Sequence, residues 1–128
     1  MKAELDKVQE FHEVFRCFLQ AQPVGAIPEK EWKVRFNLMQ EELDEYRQAA
    51  EAGDLVGIAD ALTDLMYVVL GTYLAHGLQD VAEELFDEVH RSNMSKLDRQ
   101  GNPIYREDGK VLKSELFTEP DLQKILER

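Results

Sequence analysis

The sequence has a single cysteine, Cys17, only four prolines and no surplus of basic residues. One thiol excludes an intrachain disulfide and a cysteine-built zinc site, and it suits a reducing compartment. Lys and Arg number 15 against 26 Asp and Glu, a formal net charge of −11. Phosphate backbones call for basic patches, so nucleic acid is not the expected partner. The first ten residues, MKAELDKVQE, hold no apolar signal core. The most apolar stretch, 65–75, is too short to span a bilayer, and Asp60 and Asp64 sit just before it, so no membrane partner is expected. An apolar fraction of 44% over 128 residues excludes a disordered chain and fits one domain. The expectation is a cytoplasmic, single-domain protein.

Hydrophobic spacing predicts helices. Leu5, Val8, Phe11, Phe15, Phe18 and Leu19 recur at three- and four-residue steps over 4–20. QPVGAIP (22–28) breaks that pattern with two prolines and a glycine. Pro28 then opens a second helix with Glu29 and Glu31 at its positive end, and Trp32, Phe36, Met39, Leu43, Tyr46 and Ala50 form its apolar stripe up to Gly53. Asp54 is placed to cap a third helix that ends near Gly77. From Ile58 to Ala75 this helix is apolar on almost every side, which predicts the buried centre of the fold. A fourth helix over about 79–97 has Val81, Leu85, Phe86, Val89 and Leu97 as core residues. Beyond Gly101-Asn102-Pro103, IYRE and KVLK flank Asp108-Gly109 and predict a β-hairpin, followed by a short helix after Pro120. The architecture expected is all-α: an antiparallel four-helix bundle over about 4–97, with a hairpin and tail over 98–128, in one domain.

Two groups of acids stand out. Glu41, Glu42 and Glu45 lie in the second helix, with Glu42 and Glu45 on the flank of its stripe. On glutamates alone, a solvated acidic face is the plainer account. Asp60 and Asp64 are four residues apart in the apolar third helix, so they share a face about 6 Å apart, with Tyr67 and Gly71 continuing it. One ion pair to Arg35, Arg47 or Arg91 would account for one aspartate and not for the whole group. Between Glu41 and Asp64 there are eight acids and one base, Arg47, net −7.

Like charges 6 Å apart repel by about 3 kcal/mol at an effective dielectric near 20, and four converging carboxylates by something on the order of 10 kcal/mol. That rivals a whole domain's stability of roughly 5–15 kcal/mol. An antiparallel pairing of helices two and three brings the groups together, and a shared cation is the best way to relieve them. Oxygen-only ligands favour Mg²⁺, with Mn²⁺ as a substitute. A carboxylate-bridged di-iron pair needs two Glu-x-x-His-like motifs, and only Asp87-x-x-His90 comes near. Bases concentrate later: Arg91, Lys96, Arg99, Arg106, Lys110 and Lys113 give 91–113 a net charge of +3. An acidic metal-holding half and a cationic half suit a polyphosphate ligand. No Gly-x-x-x-x-Gly-Lys loop is present, which excludes the P-loop mode.

EELDE (41–45), DALTDLMYVVLG (60–71) and DEVHRSNMSKL (87–97) resemble, in order, the motifs of the all-α nucleoside triphosphate pyrophosphohydrolases, and most closely their MazG-like, phosphoribosyl-ATP pyrophosphohydrolase-like subgroup. The resemblance covers 35–97. Glu42 and Glu45 match the family's Glu-x-x-Glu, with Glu41 as a frequent additional acid. Asp64 matches the aspartate of the following Glu-x-x-Asp, whose glutamate position holds Ala61. Asp60, one residue earlier, faces the same side and takes that ligand role. The resemblance implies Glu42, Glu45, Asp60 and Asp64 as Mg²⁺ ligands, and Glu41 or Glu45 as the carboxylate that orients or deprotonates water. It implies Asn93 and Lys96 as triphosphate contacts, with Lys110 and Lys113 as further cations. The base is expected among the aromatic residues, with Trp32, Phe36 and Tyr67 as candidates, each of which also reads as core, and Tyr67 is carried as a substrate contact. The activity implied is hydrolysis of (deoxy)nucleoside triphosphates, such as dUTP or a related pyrimidine triphosphate, to monophosphate and pyrophosphate. A homodimer or homotetramer is expected. The alternatives are a phosphoribosyl-ATP pyrophosphohydrolase and a non-catalytic helical dimer.

Overall fold

The computed structural model describes all 128 residues. They form five helices: α1 (Lys2–Val14), α2 (Glu29–Glu51), α3 (Leu55–Ala75), α4 (Ala82–Met94) and α5 (Leu122–Leu126). The chain divides into two compact units, Met1–Asp80 and Val81–Arg128. This boundary places α4 with the C-terminal segment.

In the first unit α2 and α3 are an antiparallel pair, and α1 also packs on α3. The turn between α2 and α3 is short because its residues suit it. Gly53 takes φ +63°, and the Asp54 N–H reaches back to the Ala49 carbonyl at 2.9 Å. The Asp54 carboxylate then accepts the Gly57 N–H at 3.1 Å and caps α3. At its other end α3 stops by the same device, with Gly77 at φ +69° and the Leu78 N–H on the Tyr73 carbonyl at 2.8 Å. The segment after α1 runs over this end: Gln20 N–H bonds the Leu74 carbonyl and Val24 N–H the His76 carbonyl, both at 2.9 Å.

Helix α1 is shorter than its apolar spacing predicts. It ends at Val14, where Arg16 takes φ +58° and the Cys17 N–H bonds the His12 carbonyl at 2.8 Å. This is a glycine-type cap made with arginine, so the usual sequence signal is missing. Phe18 and Leu19 thereby leave the helix.

Three elements meet at Gly71. The His12 ring is buried, with Nδ1 3.0 Å from the Phe18 carbonyl. Arg35 donates from Nε to Thr72 Oγ1 at 3.2 Å and from Nη2 to the Val68 carbonyl at 3.0 Å. A Cβ on Gly71 would lie 2.8 Å from His12 Nε2 and closer still to Arg35 Nη2. Burial, aided by the Arg35 charge, pushes the His12 pKa below its usual value against the pull of the Phe18 carbonyl.

The expected burial of α2 and α3 is not met within one chain. Only Ala61, Leu70, Gly71, Leu74 and Ala75 of α3 are buried, and no residue of α2 is. Leu55 and Val56 are 76% and 80% exposed, and Met66 59%. The predicted stripe of α2 faces outward at Trp32, Phe36, Leu43 and Tyr46, while Arg35, Leu38 and Glu42 are half-buried. Helical period shows which residues share a face and not what covers it. The full α3, 21 residues at mean hydropathy 1.5, is also longer than the apolar stretch seen first, and by length and composition alone would cross a bilayer. Asp60 and Asp64 lie in its first half, and the charged or polar Arg35 and His12 pack against its second.

In the second unit α4 buries Ala82, Leu85 and Ser92, whereas the predicted core residues Phe86 and Val89 are 60% and 39% exposed. Polar bonds tie the tail to α4. Ser92 Oγ donates to the Thr118 carbonyl, Arg91 Nη1 donates to Thr118 Oγ1, and Ser114 Oγ donates to the Ser95 and Leu97 carbonyls. The predicted β-hairpin does not form as strands. A single antiparallel bridge joins Tyr105 and Val111. The Gly109 N–H bonds the Arg106 carbonyl at 2.9 Å with Gly109 at φ +88°. Asp108 keeps a negative φ, so this is not the two-residue turn that Asp-Gly favours. Tyr105 and Val111 are 61% and 44% exposed, and a two-stranded ribbon that buries so little has nothing to extend it.

Glycine to alanine in an exposed helix interior gains about 1 kcal/mol. At position 71 the close contacts reverse the sign. Gly71→Ala is expected to lower stability by about 1–3 kcal/mol in urea unfolding, the range for overpacking.

Candidate active site

The short turn after α2 lays its last half along the first half of α3, and this sets the acids face to face. Glu42, Glu45 and Asp64 each bring a carboxylate oxygen within 4.8 Å of the others. Glu42 is half-buried, and its Oε2 is buried with no hydrogen-bond partner. Desolvation, a hydrogen bond that the protonated Glu42 donates to Glu45, and the charges of Glu45, Asp64 and Asp60 together push the Glu42 pKa up to about 7. Desolvation first, then Asp60 and Glu45, also raise Asp64.

An orphaned buried oxygen amid three oxygen donors fits a hard divalent cation, whose charge supplies what the cluster lacks. Asp60 stands outside the close trio, though near enough for its charge to act on Glu42 and Asp64. Ala61, at the position of the family's missing glutamate, is 1% exposed. Glu41 is exposed on α2 next to the cluster.

Tyr67 lies one turn beyond Asp64 on α3 and is 40% exposed. Trp32 and Phe36 are not brought to the acids: ten and six residues before Glu42, they stand about 15 and 9 Å back along α2. Asn93, exposed, and Lys96, half-buried, belong to the second unit at the end of α4. Lys110 and Lys113 flank the turn in the same unit. There Lys113 sits 4.6 Å over the Phe117 ring and 3.5 Å from Glu119. Phe11 and Phe15 entered the sequence analysis only as part of the apolar spacing of the first helix. Their rings are 39% and 65% exposed, and Phe11 meets Tyr67 edge-on at 5.7 Å.

A carboxyl with a raised native pKa stabilises the fold below its unfolded pKa, and that contribution is lost as pH rises through the native value. Without metal, Glu42→Gln is therefore expected to melt above the wild type at pH 8, with the gap closing as pH falls from 7 towards 4.5. Saturating Mg²⁺ should narrow the gap at pH 8. Melting curves at three pH values, with and without Mg²⁺, check this.

A family model described as phosphoribosyl-ATP pyrophosphohydrolase matches residues 8–93, about two thirds of the chain. The crystal structure of a "putative NTP pyrophosphohydrolase" from Exiguobacterium sp. 255-15 is similar over 94% of this chain and 90% of that one, at 27% identity and TM-score 0.51. No curated protein matches significantly. The matched span holds all three clustered carboxylates, together with the second half of α1, all of α2 and α3 and most of α4. The chain belongs to the phosphoribosyl-ATP pyrophosphohydrolase family of MazG-like, all-α nucleoside triphosphate pyrophosphohydrolases, and it is an enzyme of that kind.

Proposed function

We propose that the enzyme hydrolyses (deoxy)nucleoside triphosphates between the α- and β-phosphates, releasing a nucleoside monophosphate and pyrophosphate, with Mg²⁺ as cofactor and dUTP or a related pyrimidine triphosphate as substrate. The observation that carries this reading is the trio of Glu42, Glu45 and Asp64 with an unpartnered buried oxygen among them. These three hold the cation, and Asp60 adds to the field that attracts it. When bound there, divalent ions neutralise phosphate charge and acidify water.

The protein's own groups do the rest. Glu41 or Glu45 orients the attacking water and takes its proton as the new bond to the α-phosphorus forms. The bond to the bridging oxygen breaks, and pyrophosphate leaves with the electron pair. Lys96, Lys110 and Lys113, with Asn93, balance charge on the departing phosphates. The activity fits a cytoplasmic role in clearing unwanted nucleotides, with nucleic acid and membrane as neither substrate nor partner.

A screen of pyrophosphate release over the common triphosphates and dUTP, with Mg²⁺ and with Mn²⁺, tests the reading. Glu45→Gln and Asp64→Asn are each expected to lower turnover about hundredfold or more, beyond the usual effect of residues that only support a ligand, while the fold persists. Wild-type rates in Asp64→Asn overturn the assignment. Membership of the phosphoribosyl-ATP pyrophosphohydrolase family favours phosphoribosyl-ATP as a second substrate, and turnover of that compound in preference to every nucleoside triphosphate would establish it instead.

We further propose a homodimer or homotetramer. The exposed Leu55, Val56, Leu62 and Met66 of α3 and Trp32, Phe36 and Leu43 of α2 are apolar surface of the kind that a second chain covers. Met66→Glu is expected to shift the mass in light scattering towards the monomer, and a wild type of monomeric mass refutes the assembly.

A further inference from the structure

Hydroxyls and backbone groups strap the tail segment 114–118 to the end of α4. Ser114 Oγ donates to the Leu97 carbonyl at 2.8 Å, lies 3.1 Å from the Ser95 carbonyl, and accepts the Leu116 N–H at 3.1 Å. Ser95 Oγ accepts the Thr118 N–H at 3.0 Å and donates to the Ser92 carbonyl at 2.6 Å. Ser92, buried at 3% exposure, donates to the Thr118 carbonyl at 2.8 Å. Two lysines border these bonds. Lys96 stands between the two carbonyls that Ser114 touches, and Lys113 directly precedes Ser114. Distant in the chain, both lysines are thus fixed at the same end of α4 inside one compact unit.

We infer that Ser114 and Ser95 are positioning residues, which set Lys113 and Lys96 as a paired clamp for the pyrophosphate half of the substrate. The inference rests on the nucleotide reading above and adds what holds the two cations in place. Two features favour it over a plain cap on the last carbonyls of α4. Water satisfies exposed carbonyls at a helix end, so capping alone needs no strap bonded on both sides of Lys96. Lys113 is also restrained by its own segment, with its ammonium 4.6 Å over the Phe117 ring and 3.5 Å from Glu119. Ordering an exposed lysine costs rotamer entropy, and placing it near a second lysine adds repulsion. A polyanion offsets both costs. Pyrophosphate presents charged oxygens to two ammonium groups at once, whereas a nucleoside monophosphate has a single phosphoryl group to share.

The test measures Kd for pyrophosphate and for dUMP by calorimetry at saturating Mg²⁺, so that no turnover is needed. Ser114→Ala is expected to weaken pyrophosphate about tenfold and to leave dUMP unchanged, with KM for dUTP rising more than kcat falls. Ser114→Thr, which keeps the hydroxyl, should bind pyrophosphate as the wild type does. In a Lys113→Ala background Ser114→Ala should cost much less, because the serine acts through the lysine. Ser95→Ala, which removes the acceptor of the Thr118 N–H, repeats the test where Ser114→Ala fails to fold. A strap that only supports the fold would lower the melting temperature and leave both Kd values at wild type, and that result overturns the inference. So does an equal weakening of pyrophosphate and dUMP, or a wild type that binds no pyrophosphate. A wild type that hydrolyses no triphosphate, yet binds pyrophosphate in a Ser114-dependent way, refutes the hydrolase and keeps the clamp. One that hydrolyses dUTP while both serine variants bind pyrophosphate normally refutes the clamp and keeps the hydrolase.

Discussion

Mutual repulsion among carboxylates is the constraint around which the first unit is built. Glu42, Glu45 and Asp64 are held within 4.8 Å by a turn of three residues between two long helices, a geometry that costs free energy whenever all three are ionised. Within the first unit, the charges that act on Glu42 and Asp64 are those of other carboxylates. Its one half-buried guanidinium, Arg35, sits two turns away along α2 and bonds the Val68 carbonyl and Thr72 hydroxyl instead. Burial first, and then the neighbouring carboxylates, raise the pKa of Glu42. A proton relieves the repulsion only in part, and a divalent ion, as proposed for this site, would relieve it more fully.

Rigidity elsewhere answers this cost. The α2–α3 turn satisfies its backbone with Gly53 in the left-handed region and the Asp54 carboxylate on Gly57 N–H, so the two acid-bearing segments hold their register. The far end of the pair is locked at Gly71, where the lack of a side chain lets His12 and Arg35 close in from two helices. The acids sit between these two fixed points.

Much of this was legible in the residues. Gly53, Gly77 and Asp54 sit where helix ends demand them, and the four-residue spacing of Asp60 and Asp64 in an apolar helix announced an unusual site. Asp60 shows where the reading ran out: sharing a face with Asp64 does not by itself bring a carboxylate to the Glu42–Glu45 pair. The outward-facing stripe of α2 and the open rings of Phe11 and Phe15 were hidden for another reason, because apolar spacing reads the same against a core, a partner or a ligand. The hairpin failed because Asp-Gly specifies a turn, while strands need a surface to cover. Arg16 broke α1 with no glycine to betray it.

That last feature carries a consequence. The corners after α2 and α3 are made by glycine, whereas the corner after α1 holds an arginine in a conformation that costs L-residues on the order of 1 kcal/mol. The backbone there has the least to lose by loosening, so the end of α1 is where local opening begins, ahead of any breach between α2 and α3. Phe15, 65% exposed, rides on that end of α1, whereas the acid-bearing segments are joined by a turn whose backbone is satisfied.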